Sequence, residues 1–256
     1  MESRPSIRYT GRMAATRRHD GRRAGELRPV TITPGFVGSA DGSCLIELGG
    51  TRVICTASIT PGVPRWRAHQ GLGWVTAEYG MLPASTGQRK PRPAPRPDGR
   101  SVEIQRLIGR VLRAVVGFDR LGENTVYLDC DVLEADGGTR TAGVTGAYVA
   151  LSLAAARGAE KGLFQVGAVR GAVAAVSVGI VDGRAAVDLD YHEDVAAEVD
   201  MNVAMTGGGK YVELQGTGEG RPFDADQLEA MLRLARRGIR QLLKIQKQAI
   251  TDGTAR

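Results

Sequence analysis

The amino-acid sequence predicts an α/β fold of the α+β sandwich type, in which helices pack on mixed β-sheets. Two observations carry this prediction. The predicted elements follow the order strands, helix, strand, helix, strands. A long amphipathic helix then ends the chain. Strands and helices in this order must be layered on one another to bury their apolar faces. The two strand-rich parts hint at a duplicated β-α unit, although the sequence contains no clean repeat.

Residues 28–79 are predicted to form strands separated by tight turns. Asp41-Gly42 and Gly49-Gly50 are turn dipeptides between short apolar runs. Such pairs favour hairpin geometry because glycine accepts a positive φ. The predicted strands cover residues 28–37, 43–47, 51–58 and 73–79.

A loop and the first helix follow. Residues 84–100 hold four prolines and five basic side chains, so this segment is predicted to be a loop rather than a helix or central strand. Ser101 is the predicted cap of the next helix. Apolar residues then recur at helical spacing from Ile104 to Val115, and Gly117 is expected to end the helix.

The second half of the chain repeats the alternation of strands and helices. Asp224 with Gln227 forms a capping box that starts a final helix running to about residue 248. Earlier segments are predicted as a strand at 125–133, a helix of small residues at 142–156, and two hairpins pairing 172–181 with 185–190 and 199–206 with 210–215.

Length and composition are those of a globular protein of ordinary hydrophobicity, with one large domain or two small ones. The chain has 256 residues, 42% of them hydrophobic and 24% charged. We expect one domain over residues 16–250, a basic and disordered extension over residues 1–15, and a tail over residues 251–256; Met13 is an alternative start. Cys44, Cys55 and Cys130 form no CxxC pair and predict reduced thiols in the cytoplasm. No apolar run is long enough to span a membrane.

Charge is distributed unevenly along the chain. Residues 1–100 carry 16 Lys and Arg against seven Asp and Glu, whereas the remainder is slightly acidic. A basic front half is typical of a polyanion-binding surface such as one for nucleic acid. It is equally compatible with a solvated basic surface.

A glycine turn stands between a predicted strand and a predicted helix. The segment Asp136-Gly137-Gly138-Thr139-Arg140 combines two flexible residues with a hydroxyl and a guanidinium. Backbone N–H groups in such a turn can converge on an oxyanion at the positive end of the helix. The spacing matches neither the P-loop nor the dinucleotide fingerprint. The alternative is an ordinary turn in which Thr139 caps the helix.

A second cluster is acidic. Six carboxylates lie within residues 188–200. Crowded carboxylates repel unless a cation or a proton lies among them, and oxygen ligands suit Mg²⁺ or Mn²⁺. A solvated strand edge is the alternative. The three histidines, His19, His69 and His192, are interpreted as surface or structural residues, because no second histidine or cysteine is near His192 in sequence.

Several long motifs, in order, resemble the ribonuclease PH family over about residues 16–250. The motifs are RHDGR and ELRPV at 18–30, GWVTAEYGMLP at 73–83, GRSVEIQRLIGR at 99–110, DCDVLEADGGTR at 129–140, YHED and EVDMN between 191 and 202, and VELQGT at 212–217. The resemblance implies the fold of polynucleotide phosphorylase and exosome-ring subunits. It also implies a homohexamer built as a trimer of dimers.

The resemblance assigns residues to roles. Phosphate, a co-substrate, is expected at Arg100, Gly138, Thr139 and Arg140. The two catalytic aspartates, which are expected to bind Mg²⁺ or Mn²⁺, are Asp194 and Asp200. Arg89 and Arg92 are expected to contact tRNA. The family commonly has arginine where this chain has Ala84, which puts one RNA contact in doubt.

The implied activity is a phosphate-dependent 3′→5′ exoribonuclease that trims the 3′ ends of tRNA precursors. It releases nucleoside diphosphates and, in reverse, adds nucleotides. Two alternatives stay open: a catalytically inactive RNA-binding subunit of a ring, and a hydrolytic nuclease using the same metal site. The product distinguishes them, because hydrolysis releases monophosphates and an inactive subunit releases neither.

Overall fold

Two β-sheets flank a central helix in the computed structural model, which describes residues 18–91 and 98–255. The first sheet has the strand order β1-β2-β3-β5-β4 and is antiparallel except for the parallel pair β4 and β5. Its strands are β1 (Val30–Pro34), β2 (Gly42–Leu48), β3 (Thr51–Pro61), β4 (Trp74–Met81) and β5 (Asn124–Glu134).

The second sheet is antiparallel, with the order β7-β6-β8-β9. It consists of β6 (Val173–Val181), β7 (Arg184–Val187), β8 (Val199–Thr206) and β9 (Tyr211–Gly218). The helices are α1 (Gly99–Arg113), α2 (Phe118–Leu121), α3 (Thr139–Glu160), α4 (Tyr191–Ala196) and α5 (Ala225–Thr254), and a 3₁₀ turn covers Arg65–Arg67. Helices on two sheets confirm the predicted fold class.

Helix α3 is the centre of the molecule. It contacts β2 and β3 on one side and β6 and α5 on the other. A helix covered on all sides needs apolar or small residues all round, and α3 has them. A Cβ on Gly146 would lie only 2.7 Å from the Cys55 sulfur, so glycine is what lets α3 approach the first sheet this closely.

Helix α5 covers the second sheet. Met201, Val203 and Met205 alternate on one face of β8 and join a buried cluster with Met231 and Ile239 of α5. The predicted capping box of Asp224 and Gln227 is present, and the helix continues to Thr254 rather than residue 248. Along the described ranges, no helix is both long and apolar enough to cross a membrane.

The helix starts differ from the sequence predictions. Asp98, not Ser101, caps α1: its carboxylate accepts a hydrogen bond from the Ser101 backbone N–H, so the predicted loop ends before residue 99 and Arg100 lies in the first helical turn. Thr139 is the first residue of α3, and the N-cap is Gly138 in a left-handed conformation (φ 67°). Thr139 is therefore not the cap.

Two short helices, α2 and α4, were missed, and α4 matters for the site. The strand predicted at 185–190 ends at Val187, because Asp188 takes a positive φ of 56° that turns the chain out of the sheet. Asp190 then forms a capping box with Glu193 and starts α4. This turn decides where the acidic side chains point.

Candidate active site

An open, polar pocket of about 370 Å³ lies where the first turns of α1 and α3 meet α4 and the second sheet. All six residues predicted for phosphate and metal line it. The lining consists of Arg100, Gly138, Thr139, Arg140, Ser177, Asp194, Val195, Asp200, Asn202 and Glu219. Residues distant in sequence, from three predicted motifs, thus share one pocket.

One wall of the pocket is cationic. Arg100 and Arg140 lie in the first turns of α1 and α3, where unpaired backbone N–H groups and the helix dipole add positive charge. The Arg140 guanidinium donates a 3.1 Å hydrogen bond to Gln215 Oε1, and lies 3.6 Å from a Glu103 carboxylate oxygen. Gln215 also donates to Glu103 at 3.0 Å, so these contacts hold the Arg140 side chain in place.

The Thr139 hydroxyl is oriented from behind. The Tyr79 hydroxyl donates a 2.8 Å hydrogen bond to Thr139 Oγ1, and both residues are buried. Burial raises the pKa of Tyr79, so the phenol stays protonated as a donor. Since the Thr139 oxygen accepts from Tyr79, its own proton is available to an oxyanion in the pocket.

The opposite wall is acidic. Burial raises the pKa of Asp200 to about 6, and repulsion from Asp194 adds to the effect, while Arg140 opposes it. Burial also raises the pKa of Asp194, against the opposing charges of Arg100 and Arg140. The two carboxyls thus share the pocket with two arginines, and full ionisation of both carboxyls is unfavourable unless a cation lies beside them.

The acidic wall fits a hard divalent cation. Asp200 Oδ1 is buried and has no hydrogen-bond partner among the described residues. A buried carboxylate oxygen without a partner is costly unless a ligand satisfies it. The neighbouring donors are oxygens of Asp194, Glu219 and Ser177, which is the donor set that Mg²⁺ or Mn²⁺ prefers.

The remaining carboxylates of the acidic stretch are structural. Asp188 pairs with Arg28 at 2.7 Å, and Glu193 pairs with Arg18. Glu198 pairs with Arg221 outside the pocket. The prediction of a metal among six carboxylates thus narrows to the two that line the pocket. Arginines from the start of the chain bind Asp188, Asp190 and Glu193, whereas Glu198 is bound by Arg221.

The prediction for the histidines needs one correction. The rings of His19 and His192 have centroids 5.6 Å apart, so His192 does have a second histidine nearby in space. His19 Nε2 lies 2.7 Å from Asp190, and the two form a potential ligand group with Glu193. Arg18 and Arg22 already bind these carboxylates, so the group serves as an ion-pair cluster.

The predicted RNA loop leaves β4 beside the glycine turn. The Ala135 backbone N–H donates to the Ser85 carbonyl at 2.8 Å, which attaches the loop to the end of β5. Arg89 is exposed on this loop and does not line the pocket. Arg92 lies outside the described residues.

Sequence reasoning missed Ser177, Asn202 and Glu219. Strand alternation could have found Asn202, which lies two residues after Asp200 and therefore on the same face of β8. Ser177 is the cross-strand partner of Asn202, a register that only the folded sheet reveals. Glu219 follows β9 and carries no local signal.

Comparison with solved structures gives the same fold. A structure titled as the Archaeoglobus fulgidus exosome with RNA bound to the active site matches with a TM-score of 0.78 and 25% identity, over 89% of this chain and 92% of that one. An archaeal exosome core matches at 0.74 and 24%, over 90% and 91%. Rice (Oryza sativa) Rrp46 matches at 0.74 and 16%, over 91% and 100%.

Family models cover most of the chain. The model of the 3′ exoribonuclease family, domain 1, matches residues 26–156. The model of domain 2 of the same family matches residues 171–238. The pocket takes Arg100 and Arg140 from the first match and Asp194 and Asp200 from the second. The chain therefore belongs to the 3′ exoribonuclease family, the ribonuclease PH family that its motifs resemble.

Proposed function

We propose that the chain is an active phosphorolytic 3′→5′ exoribonuclease that trims the 3′ ends of tRNA precursors. One observation carries the proposal: two arginines and two carboxyls line a single pocket, close enough for their charges to interact. The arginine wall suits a small dianion and the carboxyl wall suits a divalent cation.

Inorganic phosphate is the nucleophile in this proposal. The guanidinium groups of Arg100 and Arg140 bind its oxygens, while Thr139 donates its hydroxyl proton. The backbone of Gly138 and Thr139 supplies N–H groups at the start of α3. Water would gain little from such a wall, whereas phosphate would be both bound and aimed.

Asp194 and Asp200 are the proposed ligands of Mg²⁺ or Mn²⁺. Such an ion, when bound, neutralises charge on the scissile phosphoryl group and the leaving oxygen. Asp200 Oδ1 would gain the partner that it lacks among the described residues. No side chain needs to act as a nucleophile, so positioning and charge neutralisation supply the catalysis.

The reaction breaks one bond and forms one. A phosphate oxygen attacks the phosphorus that links the last nucleotide to the chain, and the bond from that phosphorus to the 3′ oxygen of the preceding residue breaks. The 3′ oxygen takes up a proton, and the last nucleotide leaves as a nucleoside diphosphate. Because a phosphoanhydride replaces a phosphodiester, we expect the reaction to run in both directions.

Similarity to one exosome structure with RNA bound to its active site supports RNA as the substrate. We propose Arg89 and Arg92 as tRNA contacts outside the pocket. A homohexamer and a cytoplasmic location complete the proposal; the three free, buried cysteines suit a reducing compartment.

The alternative is a catalytically inactive RNA-binding subunit of a ring with the same fold. Retention of both arginines and both aspartates in one pocket favours the active enzyme. An inactive subunit has no need for a buried carboxylate oxygen without a partner.

Product analysis tests the proposal. A 3′-extended tRNA is incubated with Mg²⁺, with and without inorganic phosphate, for the wild type and for Arg140→Ala. We expect nucleoside diphosphates that appear only with phosphate. Loss of a charge-assisted contact in Arg140→Ala should raise the half-saturating phosphate concentration about ten- to hundred-fold.

Arg110→Ala is the matched control, because Arg110 lies on exposed α1 surface and pairs with Glu213. Its phosphate dependence should stay within about twofold of wild type. Release of monophosphates without phosphate would indicate a hydrolase, and no nucleotide release would indicate an inactive subunit.

A further inference from the structure

Arg28 lies outside the pocket but contacts the segments that form both of its walls. It is 6% exposed, and its partner Asp188 is fully buried. The Arg28 backbone N–H and guanidinium both reach the Asp188 carboxylate, at 2.7 Å each. A buried ion pair 160 residues apart in sequence is expensive to desolvate, so its retention calls for a specific role.

The same guanidinium reaches the glycine turn. Arg28 Nη1 donates to the Asp136 carbonyl, and Nη2 lies 3.4 Å from the carbonyls of Gly137 and Leu189. The turn leads directly to Thr139 and Arg140, whereas Leu189 leads to α4 and Asp194. One side chain therefore joins the backbone that presents phosphate ligands to the backbone that presents a metal ligand.

The two backbones are also in direct contact. A Cβ on Gly137 would lie 2.7 Å from the Leu189 carbonyl oxygen and 2.6 Å from the Asp190 carbonyl carbon. Gly137 has a φ of 75°, and Asp188 has a φ of 56°. Both segments thus contain a residue with left-handed backbone conformation where they come into contact. The hydrogen bonds of Arg28 hold the two segments at that spacing.

We propose that Arg28 is a positioning residue that sets the distance between the phosphate wall and the acidic wall. This inference rests on the proposed function. The name Arg28 clasp is used for Arg28, the Asp188 carboxylate and the Asp136 carbonyl. Direct attack needs the phosphate oxygen and the scissile phosphorus at the right distance and alignment. A misplacement of about 1 Å is enough to lower the rate about a hundred-fold.

The test separates spacing from binding. Arg28→Lys keeps the charge but loses the planar fork that reaches two acceptors at once. Turnover at saturating phosphate, Mg²⁺ and RNA should fall about a hundred-fold. Calorimetric titrations with inorganic phosphate alone and with Mn²⁺ alone should stay within about threefold of wild type, because each wall keeps its own ligands.

Arg113→Lys is the matched control. Arg113 is also partly buried, donates to the Val75 carbonyl at 3.0 Å and lies at the far end of α1 from Arg100. It is expected to lose stability while keeping turnover within about twofold. If loss of packing alone were responsible, Arg28→Lys and Arg113→Lys would both keep their turnover. The Arg28 clasp predicts that only Arg28→Lys loses turnover.

Gly137→Ala is a second, independent test of the spacing between the two walls if Arg28→Lys does not fold. An added methyl group would push the two walls apart with Arg28 still present, and the same pattern of lost turnover with intact binary binding is expected. Folded variants that turn over within threefold of wild type, or that lose phosphate binding itself, would overturn the inference. A wild type that releases no diphosphate would instead refute the proposed function, whatever the variants do.

Discussion

Two neighbouring carboxyls in the pocket repel each other unless a cation or a proton lies between them. Ionisation is more costly for Asp200 than for Asp194, because one Asp200 oxygen is buried without a partner in the described part of the chain. Nothing comparable affects Glu198, which belongs to the same acidic stretch but pairs with Arg221. Single side chains of one type therefore have different roles within a few residues.

Asp194→Asn and Asp200→Asn are expected to abolish turnover without unfolding the protein. Each change removes a negative ligand, and in the absence of metal it also relieves repulsion. Diphosphate release at saturating Mg²⁺ should fall by at least about a hundred-fold. Glu198→Gln is the control and should retain activity. Near wild-type turnover of either aspartate variant would show that this residue is not a ligand.

The raised pKa of Asp200 makes a separate prediction about stability. Because its pKa rises from 3.8 to about 6 on folding, the native state holds this proton more tightly than the unfolded chain. Stability is therefore lost as the pH rises through this interval, by on the order of 2 kcal/mol at neutral pH. Asp200→Asn removes the titrating group.

Urea unfolding in EDTA measures this effect. Asp200→Asn should be more stable than wild type at pH 7.5, and the difference in the free energy of unfolding should shrink toward pH 5. A difference that is constant across this range would show that Asp200 titrates normally in the folded protein.

At the scale of elements, the loop after β4 is where charge and position favour RNA. It is anchored to β5 through Ala135 and Ser85, and it leads toward the first turn of α1 with Arg100. We expect RNA bound along this loop to place its 3′ end near the pocket. Ala84 replaces the arginine common in the family, so Arg89 and its basic neighbours have to supply the charge.

Arg89→Ala combined with Arg92→Ala should weaken tRNA binding and lower the log–log salt slope by about one to two units. Phosphate affinity should be nearly unchanged, since Arg89 does not line the pocket. Fluorescence anisotropy of labelled tRNA over a salt series measures the slope. The pair Arg233→Ala and Arg236→Ala, on the exposed face of α5, is the control for loss of charge alone. If both double variants gave the same salt slope for tRNA binding, the loop would not be a specific RNA contact.

Local sequence patterns predicted the elements better than their ends. Strand alternation and the capping box located most strands and α5, because these signals depend on neighbouring residues alone. The start of α1 was misplaced, since Asp98 and Ser101 are both good caps and only the fold selects Asp98. Helix α4 was missed because Asp188 takes a positive φ that no local signal predicts, and its partner Arg28 is 160 residues away.

The residues of the candidate site also fall into those that the sequence predicted and those that it did not. The motif resemblance supplied Arg100, Arg140, Asp194 and Asp200, and the structure brings them into one pocket. It did not supply Ser177, whose place depends on sheet register, or the Tyr79 contact behind Thr139. Contacts between distant elements are outside the reach of periodicity and spacing.

At the scale of the whole molecule, the pocket is shared between the two family domains. Helices α1 and α3 bring the arginines, and the second sheet with α4 brings the carboxyls. Neither domain alone holds both walls. The spacing of the two walls therefore depends on contacts across the boundary between the two family domains, such as the ion pair of Arg28 with Asp188.

The surface of one subunit also supports assembly. Several large apolar side chains are exposed, including Trp66 at 60% and Val166 at 80%. Single exposed apolar residues are common, but the uncovered face of the first sheet adds Tyr127 among carboxylates, which leaves a mixed surface suited to a partner. The family resemblance implies that this partner is another copy, in a trimer of dimers.

We therefore predict a closed homohexamer in solution. Each subunit has a mass of 27.2 kDa, so light scattering after size exclusion should give about six times that value at working concentration. A ring would concentrate the basic Arg89 loops around a shared entrance, and dilution below the ring's dissociation range should lower tRNA affinity more than phosphate affinity. A stable 27.2 kDa species with full tRNA affinity would contradict the prediction and would assign RNA binding to the single subunit.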